Sequence, residues 1–546
     1  RVEEHTLKFA YAGDGDNELI DLAFNKKRAD DRKDWINGAD DSAFVDHSQA
    51  TLPYAEFITK ELVQYAKYDV TRSIPSVVDG FKPVQRKIMW AAFRRNLKSD
   101  TKVAQFAGYV AEHASYHHGE VSLQGAIVSL AQNFMGSNNV NLLSPSGQFG
   151  TRLTGGKDAA SARYIYTRLE KVARLIFHPA DDKILEYLSD EGQSIEPRWY
   201  IPVVPTVLIN GAEGIGVGWS TSVPNYNPKD VIENLKRYIR CEPLQAMCPW
   251  YLGFAGSIVP NADKDGFEVV GVLNRRGPTM IEITDLQPRK WTQDFKEMLQ
   301  GMLPGEGAGQ IDDFKEYHTE VSVHFVITVT EEQMTSIEGQ GPEKFFKLRS
   351  ALHTSNMFLF DRDGKIRKFA DEREILEDFA ELRLSYYHKR KAFMLRVLRQ
   401  QAEVLREKVR FIRAVVSENI KIKNRKRDQL IEDLRKRNFR TLDEICQGDI
   451  DMADGVAGAQ GEEKRAGGWE YLAGMPLWSL TMERVASLEA QLATKADEVR
   501  KLEETAPEEL WEADLDAISA EFLEIESARR AAVGRESQMR AGAQKR

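Results

Sequence analysis

Cysteine is nearly missing. The chain has three in 546 residues, Cys241, Cys248 and Cys446, with no spacing that suggests a metal-ligand set or a disulfide framework. That excludes a small disulfide-stapled scaffold and suits a reducing compartment. Long apolar runs are missing too: the longest, such as IPVVPTVLI, are short and broken by proline, so no transmembrane span and no membrane partner are expected. No signal peptide opens the chain, and RVEEHTLKFA reads as cut from something longer. A third absence is local. Between Asp371 and about Lys423 there is neither glycine nor proline, so nothing interrupts a very long helix.

What is present points to several domains, because 546 residues exceed what one core organises. Apolar content of 42% and charged content of 29% suit a globular protein rich in charged helices. Net charge is −9, which by itself argues against a nucleic-acid partner. The average hides a basic stretch, however. Arg72, Lys82, Arg86, Lys87, Arg94, Arg95, Lys98 and Lys102 are opposed there only by Asp79 and Asp100. The segment EETAPEELWEADLDAISAEFLEIE is strongly acidic in turn. Phosphate recognition depends on a local patch, so the negative total leaves a DNA-binding face open.

Residues 1–50 are polar and read as a linker or the tail of a truncated domain. In DGFKPVQRKIMWAAFRRN, Pro83 fits a first-turn position. Val84, Ile88, Ala91 and Ala92 then form one stripe, with Arg86 on the opposite face and Lys87 and Arg94 on a flank. This predicts a packed helix with its cations outward. From about 200 to 345, PTVLIN, FEVVGVLN, TMIEITDL and VSVHFVITVT read as short strands of an α+β or mostly β domain. Farther on, Leu395, Leu398, Ala402, Leu405, Val409, Ile412 and Val416 follow the 3-4 spacing of a coiled-coil seam. A second seam runs through Val485, Leu488, Leu492, Lys495, Val499 and Leu502, with only Lys495 out of character. Two such helices pair most simply antiparallel within the chain. Residues 417–479 then form a tip, in which ADGVAGAQGEEKRAGG reads as a flexible insert.

Three constellations could carry chemistry. HASYHHGE supplies His113, His117 and His118; the i,i+4 pair could chelate zinc but lacks further ligands, and a histidine donating to phosphate or a plain structural role are the other readings. NGAEGIGVGWS lacks the Gly-Lys-Ser/Thr of a triphosphate loop, and reads as a tight turn or as a wedge in which Ile215 enters between base pairs. SARYIYTRLE places Tyr164 and Tyr166 beside Arg163. A phenol has a pKa near ~10, so nucleophilic attack at neutral pH needs positive charge or a base nearby. Periodicity does not choose between the two tyrosines.

SIPSVVDGFKPVQRKIMWAAFRRN, KVAQFAGYVAEHASYHHGEVSL, LAQNFMGSNNVNLLSPSGQFGTRLTGGKDAASARYIYTRLEK and WYIPVVPTVLINGAEGIGVGWST resemble the cleavage-reunion core of eukaryotic type IIA DNA topoisomerases. The likeness continues through YHTEVSVHFVITVTEEQM, LHTSNMFLFDRDGKI and PLWSLTMERV to APEELWEADL, with fungal enzymes expected as the nearest relatives. It implies that Tyr164 is the active-site tyrosine, with Arg163, Arg72 and His118 assisting at the scissile phosphate. It implies Lys82, Arg86 and Lys102 along the DNA path, to which Lys87 is added from its basic setting, and Ile215 as the intercalating residue.

The fold implied is α+β and multidomain: a TOPRIM tail and linker (1–50), a winged-helix domain (51–200), a tower domain (201–370), a coiled-coil helix (371–416), a C-gate dimerisation tip (417–479), and a returning helix with C-terminal helices (480–546). The activity implied is double-strand cleavage through a 5′-phosphotyrosyl ester, strand passage and religation, by a nuclear homodimer acting on double-stranded DNA. ATP and Mg²⁺ are implied as cofactors held by an ATPase domain and by acidic TOPRIM motifs that this sequence lacks. A chain of these residues is therefore expected to be weak or inactive on its own. DGD at 14–16 and DRD at 361–363 lack the acidic-motif context, and the second reads as a turn. The alternatives are a non-catalytic coiled-coil DNA-organising protein, which leaves the Arg-Tyr segment unexplained, and a relaxase, whose His-hydrophobic-His motif is absent.

Overall fold

A computed structural model describes residues 7–544 except 41, 47, 262–265, 306–308, 423–425, 447–467, 477 and 479, with the side chains of 427 and 536–544 left undescribed. The chain divides into two compact units. The first holds residues 1–179, 185–383 and 514–546, the second 180–184 and 384–513.

The first unit begins with β1 (Lys8–Ala10), which pairs in parallel with β2 (Thr51–Pro53). Between them lie α1 (Asp14–Phe24) and α2 (Ala29–Asn37). A one-turn helix, α3 (Tyr54–Glu56), runs through a π-helical turn into α4 (Val63–Ser73). Ile36 of α2 packs with Ala66 and Val70 of α4, with Ile74 just past its end, and with Trp219. Next come α5 (Pro83–Arg95), α6 (Val103–His113) and α7 (Glu120–Ala131). Pro83 occupies the first turn of α5 as expected, Gln85 Oε1 accepts from Lys82 N at 2.9 Å, and Asn96 closes the helix in the left-handed region at φ 50°. Each helix buries an apolar stripe, such as Val103, Phe106, Ala107 and Val110 on α6.

β3 (Thr101–Lys102) pairs with β4 (Tyr166–Thr167), β5 (Tyr187–Asp190) with β6 (Gln193–Pro197), and β7 (Ala212–Ile215) with β8 (Ser220–Val223), all antiparallel. Of the predicted strands, TMIEITDL and VSVHFVITVT form one antiparallel pair, Met280–Asp285 with Phe325–Thr328, in a four-stranded sheet. Ile281, Ile283, Phe325 and Ile327 from that sheet enclose a core with Phe295, Leu299, Met334 and Ile337. FEVVGVLN is split at Gly271 into two strands of different sheets. PTVLIN is a correction: Thr206–Asn210 is a short helix with Thr206 to Ile209 buried. A short apolar run cannot by period separate a buried helix from a buried strand.

The helix Glu372–Val416 is 45 residues long, and Met482–Glu504 carries the second seam. Within the second unit Leu405, Val409 and Ile412 pack against Val485 and Leu488. Arg399 bonds Glu503 and Arg413 pairs with Glu489, so the partners run in opposite order along the two helices. The pairing is antiparallel, as the seams predict. Lys495 escapes the seam through Glu498, 2.7 Å away. A second buried stripe on the long helix, outside the heptad seam, runs through Gln400, Val404, Glu407 and Phe411. Phe411 packs with Leu430, Leu434, Phe439, Trp469 and Leu472 near the tip. Residues 453–467 of the predicted insert, and positions 423–425 of the KNRKR stretch, lie outside the described residues.

The helix Pro507–Gln544 buries Trp511, Leu515, Ile518 and Phe522. In the first unit its acidic face is matched by lysines, with Lys229 on Glu526 at 2.7 Å and Lys171 on Glu521. Among the described residues no helix is long and apolar enough to cross a membrane.

Candidate functional site

Ile165 decides how the two neighbouring tyrosines are presented. Its side chain is buried, and it sits against Gly147, whose φ of +109° no β-carbon residue adopts without strain. Backbone bonds fix the segment on both sides. Ala104 N donates to Ala162 O at 3.1 Å and Val103 N to Ile165 O at 3.0 Å, while Tyr166 and Ser146 exchange two bonds. Tyr164 therefore stands on a turn closed by its own N–H to Ser161 O at 2.9 Å, and its side chain is 71% exposed. Tyr166 is a strand residue, 37% exposed, with the Lys102 ammonium 6.0 Å from its ring centroid. Arg163 stays with Tyr164, its guanidinium 5.8 Å from that ring. Position and exposure thus separate two phenols that periodicity left equal.

The glycine-rich run behind them is a packing device. A β-carbon on Gly155, at φ +68°, would lie 2.3 Å from the Trp291 ring, so only glycine lets the backbone lie on that indole. Arg152, nearby, is buried and pairs with Asp285 at 2.7 Å.

A second cluster forms at the end of α4. Arg72 donates to Asp69 Oδ1 from Nε at 3.0 Å and Nη2 at 2.8 Å, which raises its already high pKa. Its guanidinium also lies 6.0 Å from the Tyr68 ring centroid. The Tyr68 hydroxyl hydrogen-bonds His118 Nε2. Arg72 and His118 are thus brought together through Tyr68, a residue that no motif singled out. Among the described residues no hydrogen bond, ion pair or ring contact joins this cluster to Arg163 or Tyr164. The two groups attach toward opposite ends of α6, whose 11 residues span roughly 16 Å.

Ile215 ends β7 and is 85% exposed. Gly216 N bonds Trp219 O at 2.9 Å to close the hairpin. Glycines on either side seat it on α4: β-carbons there would meet Ser73 O at 2.1 Å from Gly214 and Val70 Cα at 3.1 Å from Gly216. The apolar tip is thereby held at the last turn of α4, the turn that also carries Arg72.

The basic candidates divide. Lys82 lines a cleft of about 600 Å³ with Gln85, Gln132, Asn138, Arg289 and Trp291, and burial lowers its ammonium pKa. Lys102, half-buried, caps α6 beside Tyr166. Arg86 and Lys87 correct the expectation of an outward cationic face. Arg86 is buried and grips Asp79 at 2.6 and 2.9 Å, and donates to Phe81 O at 3.1 Å. Lys87 reaches Glu196 at 2.9 Å and Ala114 O at 2.5 Å. The reason is that α5 is covered on more than one side, and a buried cation must find an anion.

The histidines also diverge. His113 Nδ1 bonds Tyr109 O, whereas His117 is exposed and 3.6 Å from Asp190. Asp16 accepts from Ala12 N at 2.6 Å and Asp361 from the Asp363 and Lys365 amides, so both Asp-x-Asp runs shape local turns.

Comparison with known proteins fits this geometry. The A-subunit family model of DNA gyrase/topoisomerase IV matches residues 72–516, and the C-terminal associated domain of TOPRIM matches residues 1–70. DNA topoisomerase 2 of Plasmodium falciparum is 42% identical over 95% of this chain, and that of Penicillium chrysogenum 42% identical over 97%. The chain spans only 38% and 34% of those relatives' lengths. A parasite and a mould are equally similar, so the expected fungal affinity is not supported. The crystal structure of the Plasmodium falciparum topoisomerase II DNA-binding, cleavage and re-ligation domain matches with a TM-score of 0.84 at 42% identity. The match covers 97% of this chain and 72% of that one. The chain therefore belongs to the A-subunit family of DNA gyrase/topoisomerase IV, as a cleavage-reunion core of the eukaryotic topoisomerase 2 type.

Proposed function

We propose that this chain binds, opens and reseals a DNA duplex by tyrosine transesterification. The observation that carries the reading is the exposed Tyr164 phenol on a rigid turn with the Arg163 guanidinium 5.8 Å from its ring. Its oxygen attacks a backbone phosphorus in line. The new O–P bond replaces the bond to the 3′ oxygen, the phenolic proton is released, and the 3′ oxygen leaves as a hydroxyl after taking a proton. Ester energy is kept, so religation reverses the step without fuel. Arg163, Arg72 and His118 are assigned to the scissile phosphate, where donors stabilise charge building on its oxygens. A duplex laid across both clusters is what brings them to one reacting site.

Lys82 and Lys102 are assigned to the backbone path and Ile215 to the step that bends the duplex. Residues 51–200 are read as a winged-helix domain, 201–370 as a tower and 417–479 as a C-gate. The working form is a nuclear homodimer in which each protomer cuts one strand and a second duplex passes. The exposed Trp478 and Met482 near the tip support a contact with a second copy there.

The family's Mg²⁺ and ATP belong to the proposal too. Among the described residues no group of three or more His, Cys, Asp or Glu is placed to hold a metal ion, so these residues do not fit a Mg²⁺ site.

The test is a denaturing trap of the DNA adduct with full-length protein. Tyr164→Phe is expected to carry no covalent DNA, while Tyr166→Phe retains it. Loss of the adduct in Tyr166→Phe with retention in Tyr164→Phe overturns the assignment.

A further inference from the structure

His118 has no helix to hold it. It lies in the irregular stretch between α6 and α7, yet its ring is fixed from two sides. Tyr116 meets it edge-on at 5.4 Å between centroids, and Tyr68 lies tilted 5.8 Å away with its hydroxyl bonded to Nε2. Tyr68 itself is well anchored, because α4 buries Val63, Ala66 and Val70 on its other side. The same ring flanks the Arg72 guanidinium, which Asp69 holds from the next position. Tyr68 is 46% exposed, so packing does not explain a tyrosine here.

We propose that Tyr68 is a positioning residue for DNA cleavage: its phenol holds the His118 imidazole so that Nδ1–H is presented to the scissile phosphate. This rests on the reading of His118 as a phosphate-assisting residue. In a neutral imidazole one nitrogen carries the proton, and the partner of the other nitrogen selects which. A phenol O–H donating to Nε2 puts the proton on Nδ1, the only form of the neutral ring that donates from that side.

The experiment uses full-length protein with a duplex substrate, comparing wild type with Tyr68→Phe, His118→Ala and the double variant. Covalent adduct formation is followed alongside non-covalent DNA affinity. Tyr68→Phe keeps the ring and removes only the hydroxyl. It is expected to lower adduct formation about tenfold, with affinity changed less than about twofold. The double variant is expected to be no worse than His118→Ala. A deficit that multiplies with that of His118→Ala in the double variant, or none while His118→Ala is impaired, overturns the positioning role and leaves the His118 assignment standing. Wild-type cleavage by His118→Ala overturns both.

Discussion

The carbonyl oxygen of Ser73 lies 2.1 Å from where a β-carbon on Gly214 would stand. That approach seats the hairpin bearing Ile215 against the last turn of α4, beside Arg72. A backbone carbonyl cannot swing aside as a long side chain can.

Gly214→Ala therefore displaces the hairpin or the end of α4. The expected cost is about 1–3 kcal/mol, as for other overpacked interiors, read by urea unfolding. Because Ile215 moves with the hairpin, duplex bending measured by fluorescence transfer between labelled DNA ends should fall. Unchanged stability together with unchanged bending would rule out this account of the hairpin.

Arg86 and Lys82 should part company on mutation. Removing one partner of a buried ion pair strands the other, so Arg86→Ala is expected to destabilise the first unit by about 3–5 kcal/mol. Lys82→Ala should leave stability nearly intact, weaken DNA binding and reduce the salt dependence of affinity by about one phosphate contact. Salt titrations of DNA affinity, run beside unfolding curves, check both. A lowered salt slope with normal stability for Arg86→Ala is the contrary result.

Lys290 provides a pH signature. Burial first, and then the neighbouring Lys347 charge, lower its pKa from 10.5 to about 8. The folded state thus disfavours the charged form that the unfolded chain carries. Below about pH 8 the penalty is fully present; it fades as pH rises through 10.5, above which both states are neutral. Lys290→Met should therefore stabilise the protein at pH 7, with the advantage over wild type narrowing across that window. Lys347 O keeps the Gln287 side-chain amide at 3.0 Å, so the substitution does not strand it. Thermal melts of both proteins from pH 7 to 10.5 are the check, and a widening gap is the wrong sign.

The sequence by itself determined the features that repeat or punctuate. Two heptad seams specified an antiparallel pair, because a side chain every three or four positions buries one helix face whatever lies beyond it. Pro83 marked the start of α5 because its ring suits only a first turn, and long stretches of likeness carried the family. The strand at PTVLIN and the outward cations of α5 failed for a common reason. Period reports which residues share a face, not how many faces are covered.

Which tyrosine stands free was also beyond the sequence. Arg163 borders Tyr164 in the chain, but exposure depends on Ile165 turning inward against Gly147, and on α6 capturing the backbone through bonds from residues 103 and 104. Tyr68 and His118 are fifty positions apart, and Ser73 and Gly214 far more. Contacts of that kind arise only when helices and hairpins dock, since a hydrogen bond or a missing β-carbon acts over a few ångströms of space regardless of distance along the chain.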